Sequence, residues 1–176
     1  MRIEPWTQEL APRSEELVKA IEARRGGTLM NLDRMLLWSE PLARGWNAYL
    51  RALRQEISLS PFLRELAICV VARLTGAQYE YHHHAPELKK AGATDAQLAV
   101  LDDPDGAADS PLYDDLQRTV IRFAIASTRH VEIPDALFAD LKARLSPTEL
   151  VELVASTAAY NMVARFLVAL DVTPEK

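Results

Sequence analysis

Apolar residues recur at spacings of three and four along most of the chain, and strict alternation is almost missing, so the pattern is that of amphipathic helices. No Asn-Gly or Asp-Gly hairpin dipeptide lies between alternating segments. The punctuation is helical too. Ser60-Pro61, Ser110-Pro111 and Ser146-Pro147 each place a capping hydroxyl before a proline, whose missing N–H costs nothing in a first turn. Thr94 and Ser146 are followed three residues on by Gln97 and Glu149, the spacing of a capping box. Gly26-Gly27, Gly76 and Gly92 mark stops, the last preceded by Lys89-Lys90, where cations favour a helix end. These marks predict helices over 14–25, 29–39, 41–56, 61–75, 77–91, 95–102, 111–129, 134–145 and 147–171. The expected fold is an all-α, single-domain helical bundle of eight or nine helices over 1–176, with 1–28 as an N-terminal helical extension.

Between the two halves lies Asp102-Asp-Pro-Asp-Gly-Ala-Ala-Asp109, acidic and turn-rich, which reads as an exposed, solvated connector. Ser60-Pro61 and Ser146-Pro147 open apolar helices eighty-six positions apart, but the match fades after about a dozen residues. Duplication and a shared helix-start signal both remain open.

Composition narrows the partners. At 176 residues, with 49% hydrophobic residues, the chain is long enough for one sizeable core and short for two domains. Twenty Lys and Arg against twenty-five acids give a net charge of −5, which argues against nucleic acid. The sequence has no uninterrupted apolar run of eighteen residues and no signal-like core in its first ten, so a soluble, cytoplasmic protein without membrane partners is expected. One cysteine, Cys69, excludes an internal disulfide or a dithiol cycle within one chain.

The helix over 61–75 is apolar around most of its circumference, so it is expected to be central. Glu65 then projects with Cys69 and Ala72, either lining a narrow cavity or pairing with Arg64, Arg73 or another helix. The next helix opens with Tyr79, Glu80, Tyr81 and three histidines before Pro86, which lacks the N–H that would bond the His82 carbonyl and is expected to kink the helix. His82, His83 and His84 point about 100° apart and cannot close on one ion. Glu80 and His84 share a face and are placed to share a proton, His84 being held by Glu80. Glu65 with Glu80 and His84 is the one workable metal set, though thinly supplied, and the expectation is no metal and no cofactor. His82 and His83 read as solvated or packing residues, with His83 also a candidate for substrate contact.

These residues resemble the carboxymuconolactone decarboxylase and alkylhydroperoxidase D-like superfamily from about Leu32 to Val172. The most specific stretches are Leu63-Arg-Glu-Leu-Ala-Ile68, Gly76-Ala-Gln-Tyr-Glu-Tyr-His-His-His84 and Lys90-Ala-Gly92. Met30-Asn-Leu-Asp-Arg34 with Pro41, and Tyr160-Asn-Met-Val-Ala-Arg-Phe166, are also similar. The peroxidase branch carries a Cys-x-x-Cys pair where this chain has Ala77 and Glu80, so peroxide turnover is expected to be missing. Resemblance to the cysteine-less, decarboxylase-type branch implies a cofactor-free lyase or proton-transfer enzyme acting on a small carboxylated lactone or related acid. Its catalytic residues would be Glu65, Glu80, His84 and Tyr79. Arg165, four after Asn161, would either anchor a substrate carboxylate or form a surface ion pair. The three adjacent histidines and Pro86 depart from that branch. A non-catalytic ligand-binding or assembly role is the alternative. The resemblance also implies a homo-oligomer, a trimer or hexamer, for which Met35-Leu-Leu-Trp38 and Gly45-Trp-Asn-Ala-Tyr49 offer interface or core residues.

Overall fold

The computed structural model describes residues 1–175 as ten α-helices, with no strand among the described residues. In chain order they are α1 (Glu15–Arg25), α2 (Asn31–Leu36), α3 (Glu40–Gln55), α4 (Pro61–Thr75), α5 (Gln78–Lys90), α6 (Asp95–Val100), α7 (Pro104–Ala107), α8 (Asp115–Arg129), α9 (Asp135–Arg144) and α10 (Pro147–Leu170). The chain folds as two compact units, one of residues 1–57 with the tail from Leu170, the other Ser58–Ala169.

In the first unit, α3 packs against α1 and α2. Leu17 and Ile21 of α1, Leu32, Met35 and Leu36 of α2, and Leu50 and Leu53 of α3 are buried. Asp33 is buried with them. Its carboxylate accepts from Arg25 at 2.9 and 3.0 Å, from Arg24 at 3.4 Å, and from the Met30 amide at 3.0 Å. A buried charge so fully bonded is tolerated where an unpaired one is not. Trp38, Leu42 and Tyr49 are exposed on this unit, so the aromatic stretches singled out above do reach the surface.

The second unit is built round α4. Pro61 occupies its first turn, and Leu63 and every residue from Glu65 to Ala72 are buried, as its all-round apolar pattern requires. Gly76 ends it in the left-handed conformation at φ 68°, where its amide and that of Ala77 return to Arg73 and Ala72. That reversal lays α5 along α4, and α8 packs on α4 as well. Pro86 lies inside α5, which continues through it as one helix to Lys90. Ahead of α4, the Ser58 and Leu59 amides donate to the Glu152 carboxylate of α10 at 3.0 and 2.7 Å. Asn161 Nδ2 of α10 donates to Thr128 Oγ1 of α8 at 3.0 Å. By length and composition α10 is apolar enough to cross a membrane, yet half of its apolar window is buried inside the protein.

Two expectations need correction. The acidic connector is not simply solvated: it contains α7, with Pro104 and Ala107 buried. Its acids clip to arginines of neighbouring helices: Asp105 to Arg129 at 2.7 and 2.8 Å, Asp109 to Arg122 at 2.7 Å, and Asp102 to Arg73. Ser110-Pro111 does not start α8 either. Tyr113 is buried and its hydroxyl donates to the Gln97 carbonyl, holding 110–113 as turns, so the reciprocal cap of Asp114 and Gln117 sets the start instead. The capping boxes at Thr94 and Ser146 form as predicted.

Candidate active site

Glu65 stands in the second turn of α4, and α5 returns antiparallel beside it after the Gly76 reversal, so His84 comes level with Glu65. Glu65 Oε2 and His84 Nδ1 are 2.6 Å apart, while Glu65 Oε1 accepts from Arg64 Nε at 3.1 Å. With one oxygen already held by a guanidinium, Glu65 is the acceptor and His84 Nδ1 the donor. Tyr160 of α10 packs against the same imidazole, ring centroids 4.8 Å apart and planes at 83°.

Glu80 is also brought here, one turn before His84 on the same face of α5. It is 2% exposed and neither carboxyl oxygen has a hydrogen-bond partner. Burial alone pushes its pKa well above the ordinary 4.5, because no donor or cation offsets the lost water. Cys69 is fully buried; burial, then the Glu65 and Glu80 carboxyls, push its thiol up, away from thiolate.

His84 was expected to be held by Glu80. The structure gives that place to Glu65, because α4 presents its carboxylate directly to Nδ1, and Glu80 is left without a partner. Tyr79 is buried and its ring contacts His83 at 4.5 Å; His83 in turn meets exposed His82 edge-on at 5.0 Å. Arg165 is exposed, bonds the carbonyl and side-chain oxygens of Asn161 at 2.8 Å each, and lies about 140° round α10 from Tyr160. It is therefore not brought together with His84. Tyr160 was the residue missed as a site member, although it opens one of the stretches that carry the family resemblance.

Among the described residues, no three His, Cys, Asp or Glu side chains are grouped to hold a metal ion. A cavity of about 550 Å³ lined by Asp102, Asp103 and Asp109, and one of about 470 Å³ lined by Trp6, Glu15 and Arg34 among others, lie away from these residues.

Residues 40–112 match the sequence model of the carboxymuconolactone decarboxylase family, a span that contains Glu65, Tyr79, Glu80 and His84 but not Tyr160 or Arg165. No curated protein matches the chain. Several solved structures share the fold. An uncharacterized peroxidase-related protein from Silicibacter sp. TM1040 superposes with a TM-score of 0.77 at 19% identity, covering 99% of this chain and 89% of that one. A cysteine-to-alanine form of the debrominase Bmp8, in complex with 2,3,4-tribromopyrrole, gives 0.75 at 20% identity, with 99% and 92% covered. A protein of unknown function from Agrobacterium tumefaciens, suggested to be the antioxidant defence protein AhpD, gives 0.67 at 19% identity, with 76% and 90% covered. The family's sequence pattern thus falls on the two helices that bring Glu65 to His84, and the chain has the all-helical, alkylhydroperoxidase D-like fold of the structures it superposes on.

Proposed function

We propose that this protein is a cofactor-free acid–base enzyme that removes carbon dioxide from, or moves a proton on, a small carboxylated lactone or related acid. The observation that carries the proposal is Glu80: a buried carboxyl with no internal partner, its pKa raised, one turn from an imidazole oriented by Glu65. A carboxyl kept protonated by burial is a proton source that needs no metal.

In the decarboxylation, the bond between ring carbon and carboxylate breaks, carbon dioxide leaves, and the electron pair flows to the conjugated lactone oxygen. His84, as the imidazolium paired to Glu65, offers a hydrogen bond from Nε2 to that oxygen and keeps its proton, while the carbonyl re-forms as carbon is protonated. Glu80 then delivers its proton to carbon and regains one from water. Glu65 orients His84 in this scheme rather than protonating carbon. Tyr79 packs beside the pair, and neither His83 nor Arg165 is needed in this scheme. The small brominated ring bound by the debrominase relative fits a fold that takes compact ring ligands. Peroxide or thiol chemistry is disfavoured by the non-thiol residues Ala77 and Glu80 and by the sealed Cys69. A non-catalytic role, with the polar cluster enclosed inside the bundle, has one observation in its favour: Glu65, Glu80 and His84 are all at most 5% exposed. A cytoplasmic homo-oligomer, trimeric or hexameric, belongs to the same reading.

Thermal-shift screening of small lactones, muconates and keto acids tests it, since a ligand at a hundred times its Kd stabilises by about 2.7 kcal/mol. A hit should be turned over with release of carbon dioxide or solvent deuterium uptake at carbon. Glu80→Gln should lower that turnover by roughly 10²–10⁴-fold while the protein stays folded. Undiminished turnover in Glu80→Gln and in His84→Ala would end the proposal; binding without turnover would favour the non-catalytic reading.

A further inference from the structure

The cavity of about 470 Å³ belongs wholly to the first unit and has the size of an ordinary small-molecule site. One stripe of α1 forms a side of it, Glu15, Val18, Lys19 and Glu22, since spacings of three, four and seven share a helix face. Trp6 and Leu29, both buried, give it an apolar base together with Val18. The segment that carries Trp6 is fixed in place. Trp6 Nε1 donates to the Ala11 carbonyl at 2.7 Å, and the Gln8 side chain exchanges bonds with the Arg13 backbone at 3.0 and 3.2 Å. Arg34 of α2 donates to the Trp6 carbonyl at 3.3 Å.

Some charges around this hollow are already met. Lys19 pairs with Glu15 at 3.2 Å, and Glu9, out at the surface, accepts from Thr7. Glu22 and Arg34 are different: both line the cavity and both are half-buried. Among the described residues the Glu22 carboxylate accepts no hydrogen bond and makes no ion pair, and the Arg34 guanidinium donates only to the Trp6 carbonyl. An anion and a cation partly withdrawn from water, lining one hollow without bonding each other, attract ligand charge more strongly than fully exposed groups do. A molecule bearing both signs on one carbon can bridge them, and its apolar remainder can rest on the indole.

We propose that this cavity binds an α-amino acid with an apolar side chain. Its ammonium group bonds Glu22, its carboxylate takes the planar fork of Arg34, and its side chain lies against Trp6, Val18 and Leu29. The site shares no residue with Glu65, Glu80 and His84, so it stands or falls apart from the acid–base reading.

Isothermal titration calorimetry of the full-length protein with L-leucine tests it, beside two analogues with the same side chain. Isoamylamine lacks the carboxylate, and 4-methylpentanoate lacks the ammonium group. Leucine should bind, and each analogue should bind about tenfold or more weakly, the scale of one lost charged hydrogen bond. Glu22→Gln should weaken leucine about tenfold and leave 4-methylpentanoate unchanged, while Arg34→Gln should weaken leucine and leave isoamylamine unchanged. Arg34→Lys, which keeps a donor for the Trp6 carbonyl, serves if the glutamine variant does not fold. The Trp6 indole N–H resonance, assigned by its loss in Trp6→Phe, should shift as leucine is added. No binding of leucine, methionine or phenylalanine at millimolar concentration would overturn the proposal. So would leucine binding that is undiminished in both Glu22→Gln and the Arg34 variant, or an analogue that binds as tightly as leucine.

Discussion

At Glu80 a carboxyl group is enclosed without a donor, and this has a thermodynamic signature. Its folded pKa is raised above the ordinary 4.5 by desolvation, so the folded protein binds a proton that the unfolded chain releases first. The contribution to stability is therefore fully present below about pH 4.5 and is lost as pH rises from there through the folded-state value. Within that window the slope from this one group is about 1.4 kcal/mol per pH unit. Glu80→Gln, which cannot ionise, should remove this slope: the variant gains on the wild type as pH rises and does not gain in acid. Denaturation midpoints across pH measure it, and parallel wild-type and variant curves would contradict the burial of a neutral acid. That Glu65, Glu80 and His84 come together was legible in the sequence, because Glu65 was a lone acid on an apolar helix and Glu80 and His84 share a face; the contact of Tyr160 and the distance of Arg165 were not. Nor was the wiring of the site. Spacing of four suggested Glu80 as the partner of His84, while the bond that formed spans nineteen residues and depends on how α4 and α5 are rolled against each other, which no local pattern encodes.

At the level of the element, the placing of α4 depends on a residue far from it in the chain. Ser60 caps α4 by position but makes no side-chain bond, and the amides just before it are taken up by Glu152 of α10. Glu152→Ala removes a charged acceptor from the Leu59 and Ser58 amides and should cost about 1.5–3 kcal/mol, read as a lower denaturation midpoint with unchanged slope. A loss within a few tenths would mean that water replaces the carboxylate. Helix ends whose signals lie within one turn were readable: Thr94 with Gln97, Ser146 with Glu149, and the left-handed Gly26 and Gly76. Ser110-Pro111 carried the same local signal and misled, because buried Tyr113 and the Asp114 cap decide where α8 begins. The acidic connector misled for a related reason. Its charges look solvated until the arginines of α4 and α8 that meet them are in place.

For the molecule as a whole, the candidate site is contained within the second unit, since Glu65, Glu80, His84 and Tyr160 all fall inside Ser58–Ala169. α4 and α5 supply Glu65, Glu80 and His84 of the proposed site, and Tyr160 of α10 packs on His84. Sealed among them is the chain's only sulfhydryl, one turn beyond Glu65 on α4 and within electrostatic reach of Glu80. Cys69 is thus a stopwatch for breathing of the proposed site: a colorimetric disulfide reagent has no other thiol to report. Its reaction with the native protein should run about a thousandfold or more slower than with the denatured chain, as opening a core helix requires. A bound guest that keeps the helices shut should slow it further, so occupancy becomes measurable before any product has been identified. Native labelling as fast as denatured would mean that the centre already stands open.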